Sequence, residues 1–178
     1  MKTLKGTFLA LCVTFGTAVY AQDINNNFNT YDSDRDGRLN QTEFNERNDQ
    51  QYDTWDTNRD GNIDSGEFSE RAYQSFDRNR DAFIDENEWN EGISTNAGQF
   101  LKARDYTVFD TNRDRRLDTE EWSTGLENSP WFNNFDRNQD GYIDSEEWNQ
   151  TTFSDLDLND DNFVDEDEFT DNNPFRNW

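Results

Sequence analysis

Along the chain, apolar residues return in a fixed phase with polar ones. Two aromatic or aliphatic side chains stand three residues apart: Phe28 and Tyr31, Tyr52 and Trp55, Tyr73 and Phe76, Tyr106 and Phe109, Phe132 and Phe135, Phe153 and Leu156. A polar stretch follows each pair and is broken by one aliphatic residue: Leu39, Ile63, Ile84, Leu117, Ile143 or Val164. Five residues further on stands another ring: Phe44, Phe68, Trp89, Trp122, Trp148 or Phe169. A helix brings residues i and i+3 onto one face. The pattern therefore predicts a short entering helix, a polar loop and an exiting helix, six times over, in an all-α fold. These apolar residues are read as core.

The residue after each leading pair is an aspartate: Asp32, Asp56, Asp77, Asp110, Asp136 or Asp157. These loop starts fall 24 and 21 residues apart, then, after a gap of 33, 26 and 21 apart. The rhythm of the first three returns in the last three. It predicts a duplicated three-loop unit, residues 22–95 and 96–178, with the small polar stretch Ser94 to Gly98 as linker. Where starts lie 21 apart, one short helix must leave one loop and enter the next. Phe68, Ala72 and Phe76 fall on one side of such a helix, as do Trp148 and Leu156. Two loops at opposite ends of one helix cannot pair side by side. Which loops do pair stays open; the third and fourth have the most ordinary spacing for a direct pair. Between loops 4 and 5, Ser129 reads as a helix cap and Pro130 as a first helical residue, so a break is expected there.

Charge changes the picture. Leu, Ile, Val and Phe together number 33 of 178, few enough for disorder to be the default expectation. The formal net charge is -24, so the bare chain repels itself and has little apolar surface to bury. Bound cations would supply the neutralisation that folding needs. The same charge argues against nucleic acid and anionic membranes as partners, because both call for basic patches.

Residues 1–21 read as a secretory signal: Lys2 and Lys5, an apolar run from Phe8 to Val19, then small residues before a cut after Ala21. The run is shorter than the ~20 residues a membrane span requires, so no span is expected after removal. Cys12 lies inside this segment, and beyond it the chain has neither Cys nor His. Disulfides, thiolate zinc sites and imidazole sites are thereby excluded. With Lys102 the one lysine beyond residue 21, most nucleophile and base schemes lack their players, and no enzyme is expected. The expected location is secreted or periplasmic.

The polar stretches carry the chemistry. Asp32, Asp34, Asp36, Gly37, Asn40 and Glu43 occupy positions 1, 3, 5, 6, 9 and 12 of a 12-residue window. The second window has Asp56, Asn58, Asp60, Gly61, Asp64 and Glu67. The third has Asp77, Asn79, Asp81, Asp85 and Glu88, and the fourth Asp110, Asn112, Asp114, Asp118 and Glu121. The fifth has Asp136, Asn138, Asp140, Gly141, Asp144 and Glu147, and the sixth Asp157, Asn159, Asp161, Asp165 and Glu168. This spacing resembles that of multi-EF-hand calcium-binding proteins over nearly all of Asp32 to Phe169. An acidic solvating tail would show no such phase between its aspartates and its apolar residues.

The resemblance implies Ca2+ as the ion. It implies side-chain oxygens from positions 1, 3 and 5, a water-mediated contact at position 9 and a bidentate Glu at 12. Position 7 would give a backbone carbonyl, from Arg38, Asn62, Phe83, Arg116, Tyr142 and Phe163. Each window places four carboxylates among its five side-chain positions, an arrangement that like-charge repulsion disfavours until a divalent ion reverses its sign.

Position 6 needs a positive φ, which Gly accepts freely and Asn162 more readily than most residues. Ala82 and Arg115 stand there in windows 3 and 4, where the left-handed conformation costs ~1–2 kcal/mol. Windows 1, 2, 5 and 6 are expected to bind best, 3 less well and 4 least. Three roles follow: a calcium-responsive module for an unidentified protein partner, an extracytoplasmic calcium buffer, or a calcium-stiffened structural or matrix protein. The only Met is Met1, so the flexible Met-rich groove of some calcium sensors is missing. Asn40 and Asn149, each followed two residues later by Thr, match glycosylation acceptors. The tail from Phe175 to Trp178 is expected to dock on the core.

Overall fold

A computed structural model describes residues 28–94, 101, 105–127 and 129–172. The expected signal segment, most of the Ser94 to Gly98 linker and the Phe175 to Trp178 tail lie outside these residues. The helices are α1 (Phe28–Tyr31), α2 (Gln41–Trp55), α3 (Ser65–Phe76), α4 (Glu86–Ser94), α5 (Tyr106–Phe109), α6 (Thr119–Glu127), α7 (Trp131–Phe135), α8 (Ser145–Leu156) and α9 (Glu166–Asn172). Between them lie two-residue strands β1 (Arg38–Leu39), β2 (Ile63–Asp64), β3 (Tyr142–Ile143) and β4 (Val164–Asp165). The helical expectation holds, with these small strands added.

α3 and α8 are the single helices expected between windows 2 and 3 and windows 5 and 6. α2 likewise joins windows 1 and 2 without a break. Between windows 4 and 5 the chain does break, one residue later than expected. Pro130 is the N-cap of α7 rather than its first residue, and the Trp131 N–H donates to Ser129 Oγ at 3.3 Å. The cause is that Pro130 has ψ near zero (1°), outside the helical range, so the helix starts after it.

The windows pair in a nested order. β1 runs antiparallel to β4, with Leu39 opposite Val164, which joins window 1 to window 6. β2 runs antiparallel to β3, with Ile63 opposite Ile143, which joins window 2 to window 5. Ile84 and Leu117 bridge windows 3 and 4, exchanging N–H to carbonyl bonds of 3.0 and 2.9 Å. The third and fourth windows thus form the direct pair that their spacing suggested. All six of these aliphatic residues are 0% exposed. Because a strand pair needs only two residues here, the buried side chain at position 8 fixes the register.

Aromatic packing builds two cores. Phe28, Tyr31, Leu39 and Phe44 meet Phe153, Leu156, Val164 and Phe169 around the window 1/6 pair. Windows 2 to 5 share the larger core, where Trp55, Phe68, Trp89, Trp122 and Trp148 are each at most 2% exposed. Gly92 and Gly125, both at position 16 of their windows, let rings through. A Cβ on either would lie 2.3 Å from Phe76 or 2.1 Å from Phe109. Where α2 crosses α8, the buried amide of Asn48 donates to Asn149 Oδ1 (2.7 Å) and Thr152 Oγ1 (2.8 Å). Asn149 in turn donates to Asp49 Oδ1 at 2.7 Å and is only 4% exposed, so in the folded chain this acceptor-like asparagine serves packing.

Candidate metal centres

Each window folds around its own carboxylates. The position 1 aspartate accepts two backbone N–H groups, from positions 5 and 6. In window 1 these are Asp36 to Asp32 Oδ1 (3.1 Å) and Gly37 to Asp32 Oδ2 (3.0 Å). Asp56, Asp77, Asp110, Asp136 and Asp157 accept the same two bonds. The position 3 side chain accepts from the N–H of position 5, and the position 5 carboxylate from that of position 7. The Glu at position 12 reaches back across the loop in all six. Its Oε1 accepts from the N–H of position 3, and its Oε2 from that of position 9. In windows 1, 3 and 4 this brings three carboxylates into one small volume.

Three acidic groups are tight enough that one oxygen from each member lies within 4.8 Å of the others. They are Asp32, Asp34 and Asp36; Asp77, Asp81 and Glu88; and Asp110, Asp114 and Glu121. Two of the three come from windows 3 and 4, whose position 6 is not glycine. Those windows adopt the required backbone all the same: Ala82 and Arg115 both have φ 68°, beside Asn162 at 66° and Gly37, Gly61 and Gly141 at 86–92°. A second left-handed position carries no glycine to mark it in the sequence. Arg35, Arg59, Arg80, Arg113, Gln139 and Asp160, at position 4, all have φ of 58–63°.

Position 9 has a second duty. Its side chain accepts the N–H of the position 12 Glu, while that Glu carboxylate accepts the N–H of position 9. The reciprocal cap is seen at Asn40, Asp64, Asp85, Asp118, Asp144 and Asp165. It fixes where each exiting helix starts and locks the Glu rotamer. Position 7 side chains also meet across pairs. Arg38 lies 5.5 Å over the Phe163 ring (windows 1 and 6), and Arg116 lies 5.2 Å over Phe83 (windows 4 and 3). Neither contact is visible until the pairing is known.

The electrostatics call for a cation. The aspartates at position 1 and glutamates at position 12 are all buried, 5–9% exposed. Among the described residues none of these twelve pairs with an arginine or lysine; the ion pair Arg78–Glu91 joins two partly exposed side chains elsewhere. Buried charge without a counter-charge is strongly disfavoured. Burial pushes the Glu43 carboxyl up, but the N–H groups of Asn40 and Asp34 and the Ser33 hydroxyl and N–H outweigh it, and the net shift is down. Glu67 is held down in the same way, by Asn58, Asp64 and Thr57. For exposed Asp34, the Asp36 N–H lowers the value, but desolvation and the carboxylates of Asp36, Glu43 and Asp32 leave it raised. The cage is built of hard oxygen donors crowded against one another. That donor set fits a hard divalent ion of six to eight oxygens, such as calcium, and offers no nitrogen or sulfur ligand for softer metals.

No curated protein matches the chain significantly. The EF-hand family model matches residues 27–46, 55–70 and 128–151. These three regions contain or adjoin windows 1, 2 and 5, the three with glycine at position 6. Over these regions the chain is similar to the EF-hand family, and together with the acidic loop groups this supports an EF-hand, calcium-binding protein.

Proposed function

We propose that this is an exported protein in which all six windows bind calcium, that the ion completes the fold, and that the filled protein presents a surface to a protein partner. The observation that carries the reading is the set of twelve buried position 1 and position 12 carboxylates with no arginine or lysine partner among the described residues. The EF-hand family is a calcium-binding family, typically without enzymatic activity, and no catalysis is proposed. A bound calcium ion supplies the positive charge that each cage lacks. The chain's part is to orient oxygens: backbone N–H bonds aim Asp32 and its counterparts, and the reciprocal cap holds Glu43 and its counterparts over the loop.

The nested pairing supports duplication of units 22–95 and 96–178. If windows 1, 2 and 3 correspond to 4, 5 and 6, pair 2/5 maps onto itself and pair 1/6 maps onto pair 4/3. The arrangement is what two copies of a three-window unit would form about a two-fold axis. Among the described residues no helix is long and apolar enough to cross a membrane.

A second reading, a calcium buffer or calcium-stiffened structural protein, draws on the stiffness of the core. Its rings pack closely in tilted pairs, as for Trp89 against Phe109 at 4.8 Å and Phe76 against Trp122 at 4.9 Å, and leave no flexible groove of methionines. Tryptophan fluorescence and circular dichroism, with calcium and then with chelator, test the shared claim. The expected result is reversible loss of helix and of buried-tryptophan emission on chelation. An unchanged signal contradicts it. Calcium-dependent capture of a partner then favours the first role over the second.

A further inference from the structure

The space between α1, α2, α3 and the start of window 3 is a groove of about 1040 Å³. Four arginines line it: Arg47, Arg71, Arg78 and Arg80. Gln50 and Gln74 stand among them, and Asp77 is the one acidic residue of the described lining. Such a concentration of cations is unexpected on a chain of net charge -24. Arg78 is held by Glu91 (3.0 Å) and Arg71 donates to Gln74 (3.2 Å), and both remain at the surface.

The chain contains its own control. Arg47 and Arg71 occupy position 16 of windows 1 and 2, and Arg78 and Arg80 occupy positions 2 and 4 of window 3. When windows 1, 2 and 3 are matched to 4, 5 and 6, the four counterparts are Gly125, Thr151, Leu158 and Asp160, although arginine does recur at position 4 of window 4 and position 2 of window 5. The same loop-and-helix plan is thus built a second time without any of these four charges. The fold can therefore be built without this cluster of charges.

We propose that this groove binds a short acidic peptide segment of a partner protein, with carboxylates on the arginine forks and backbone amides on Gln50 and Gln74. Arginine presents a planar fork matched to carboxylates, and such bonds are stronger than neutral ones. Length is the discriminating feature. Charges are screened beyond about 8 Å at physiological salt, so a short segment feels the four arginines together with only the few acids beside them, Asp77, Glu91 on Arg78 and Glu70 on Gln74. A long nucleic acid or an anionic bilayer would overlap the acidic remainder of the surface and be repelled.

The test uses the full chain in millimolar calcium, with folding verified by circular dichroism. The probe is a fluorescein-labelled hexaglutamate peptide read by anisotropy. We expect saturable binding that weakens as salt is raised. In the triple variant Arg47→Gln, Arg71→Gln, Arg80→Gln it should fall by about tenfold or more. Gln139 already holds position 4 in window 5, so glutamine at residue 80 suits the backbone. A second triple variant, Arg35→Gln, Arg59→Gln, Arg113→Gln, removes the same charge away from the groove and should keep the affinity within about twofold. Three results overturn the proposal: no binding at millimolar peptide, equal loss in both variants, or equally strong binding of a long polythymidylate or of phosphatidylserine vesicles.

Discussion

Phe28, Tyr31, Leu39 and Phe44 meet Phe153, Leu156, Val164 and Phe169 in a core of their own, while windows 2 to 5 share one continuous core of closely packed tryptophans and phenylalanines. The loops at the two places are built alike, down to the hydrogen bonds around each position 1 aspartate. What differs is the company they keep. Pairs 2/5 and 3/4 share one cluster of buried side chains, whereas pair 1/6 has its own and is joined to the rest through α2 and α8. The outer pair must also bring Leu39 to Val164, the most distant partners in sequence of the three pairs. Large loop closure and a small core both favour opening at lower free energy. The ends of the chain are therefore expected to form a separable unit laid on a more stable body.

Core truncations probe this contrast most strongly. Trp122 packs against Tyr73, Phe76, Trp89 and Phe109. Trp122→Ala should cost ~3–5 kcal/mol and remove hydrogen-exchange protection from both cores together. Phe44 packs against Tyr31 and Phe153. Phe44→Ala should lose a similar local energy yet leave protection in α3, α4 and α6 intact. Equal, global loss in both variants would show that there is no separable end.

The boundary between the two regions runs through the Asn48, Asn149 and Thr152 cluster. Asn48→Ala leaves Asn149 Oδ1 and Thr152 Oγ1 without this buried donor, at a cost of ~1–3 kcal/mol. Urea unfolding followed at the outer and inner cores should show the outer transition shifting first. Coincident transitions would join the two regions into one cooperative unit.

Within the body, window 4 carries the strain of Arg115 at φ 68°. Arg115→Gly removes ~1–2 kcal/mol of backbone cost and should raise that window's calcium affinity by about tenfold. Calorimetric titration that finds the affinity unchanged removes position 6 as the source of any ranking among windows.

The smallest effect is on pH dependence. Burial first, then the charges of Asp77, Asp118, Asp81 and Glu88, push the Tyr73 hydroxyl from 10.0 up to about 12. Its Oη lies 2.7 Å from the Ala82 carbonyl and 3.2 Å from that of Leu117, so it ties window 3 to window 4. A raised value means that the folded chain keeps the proton longer than the unfolded one. The stabilisation is complete below pH 10 and is lost as pH rises through 12. Urea midpoints of wild type and Tyr73→Phe should therefore converge over that interval; a constant difference contradicts the assignment.

Much of this was legible in the chain because it is local. The phase of Asp32, Leu39 and Phe44, repeated through Asp157, Val164 and Phe169, places the cages, the buried aliphatic residues and the helix faces within a few turns of one another. Pairing is not local. Nothing near Leu39 names Val164 as its neighbour, so the nested order, the contact of Arg38 with Phe163 and the Asn48 cluster appear only in three dimensions. The left-handed backbone at position 4 was missed for another reason. Arginine stands there four times, and arginine gives no hint of a positive φ as glycine does. Gly92 and Gly125 likewise carry no local signal, since the rings that need their space come from residues in preceding helices.

Equilibrium dialysis against calcium bears most directly on the central claim, that oxygen cages with no counter-charge among the described residues are filled by a divalent ion. Uptake at millimolar calcium should approach six ions for each chain, matching the six windows. Negligible uptake at that concentration would contradict the account.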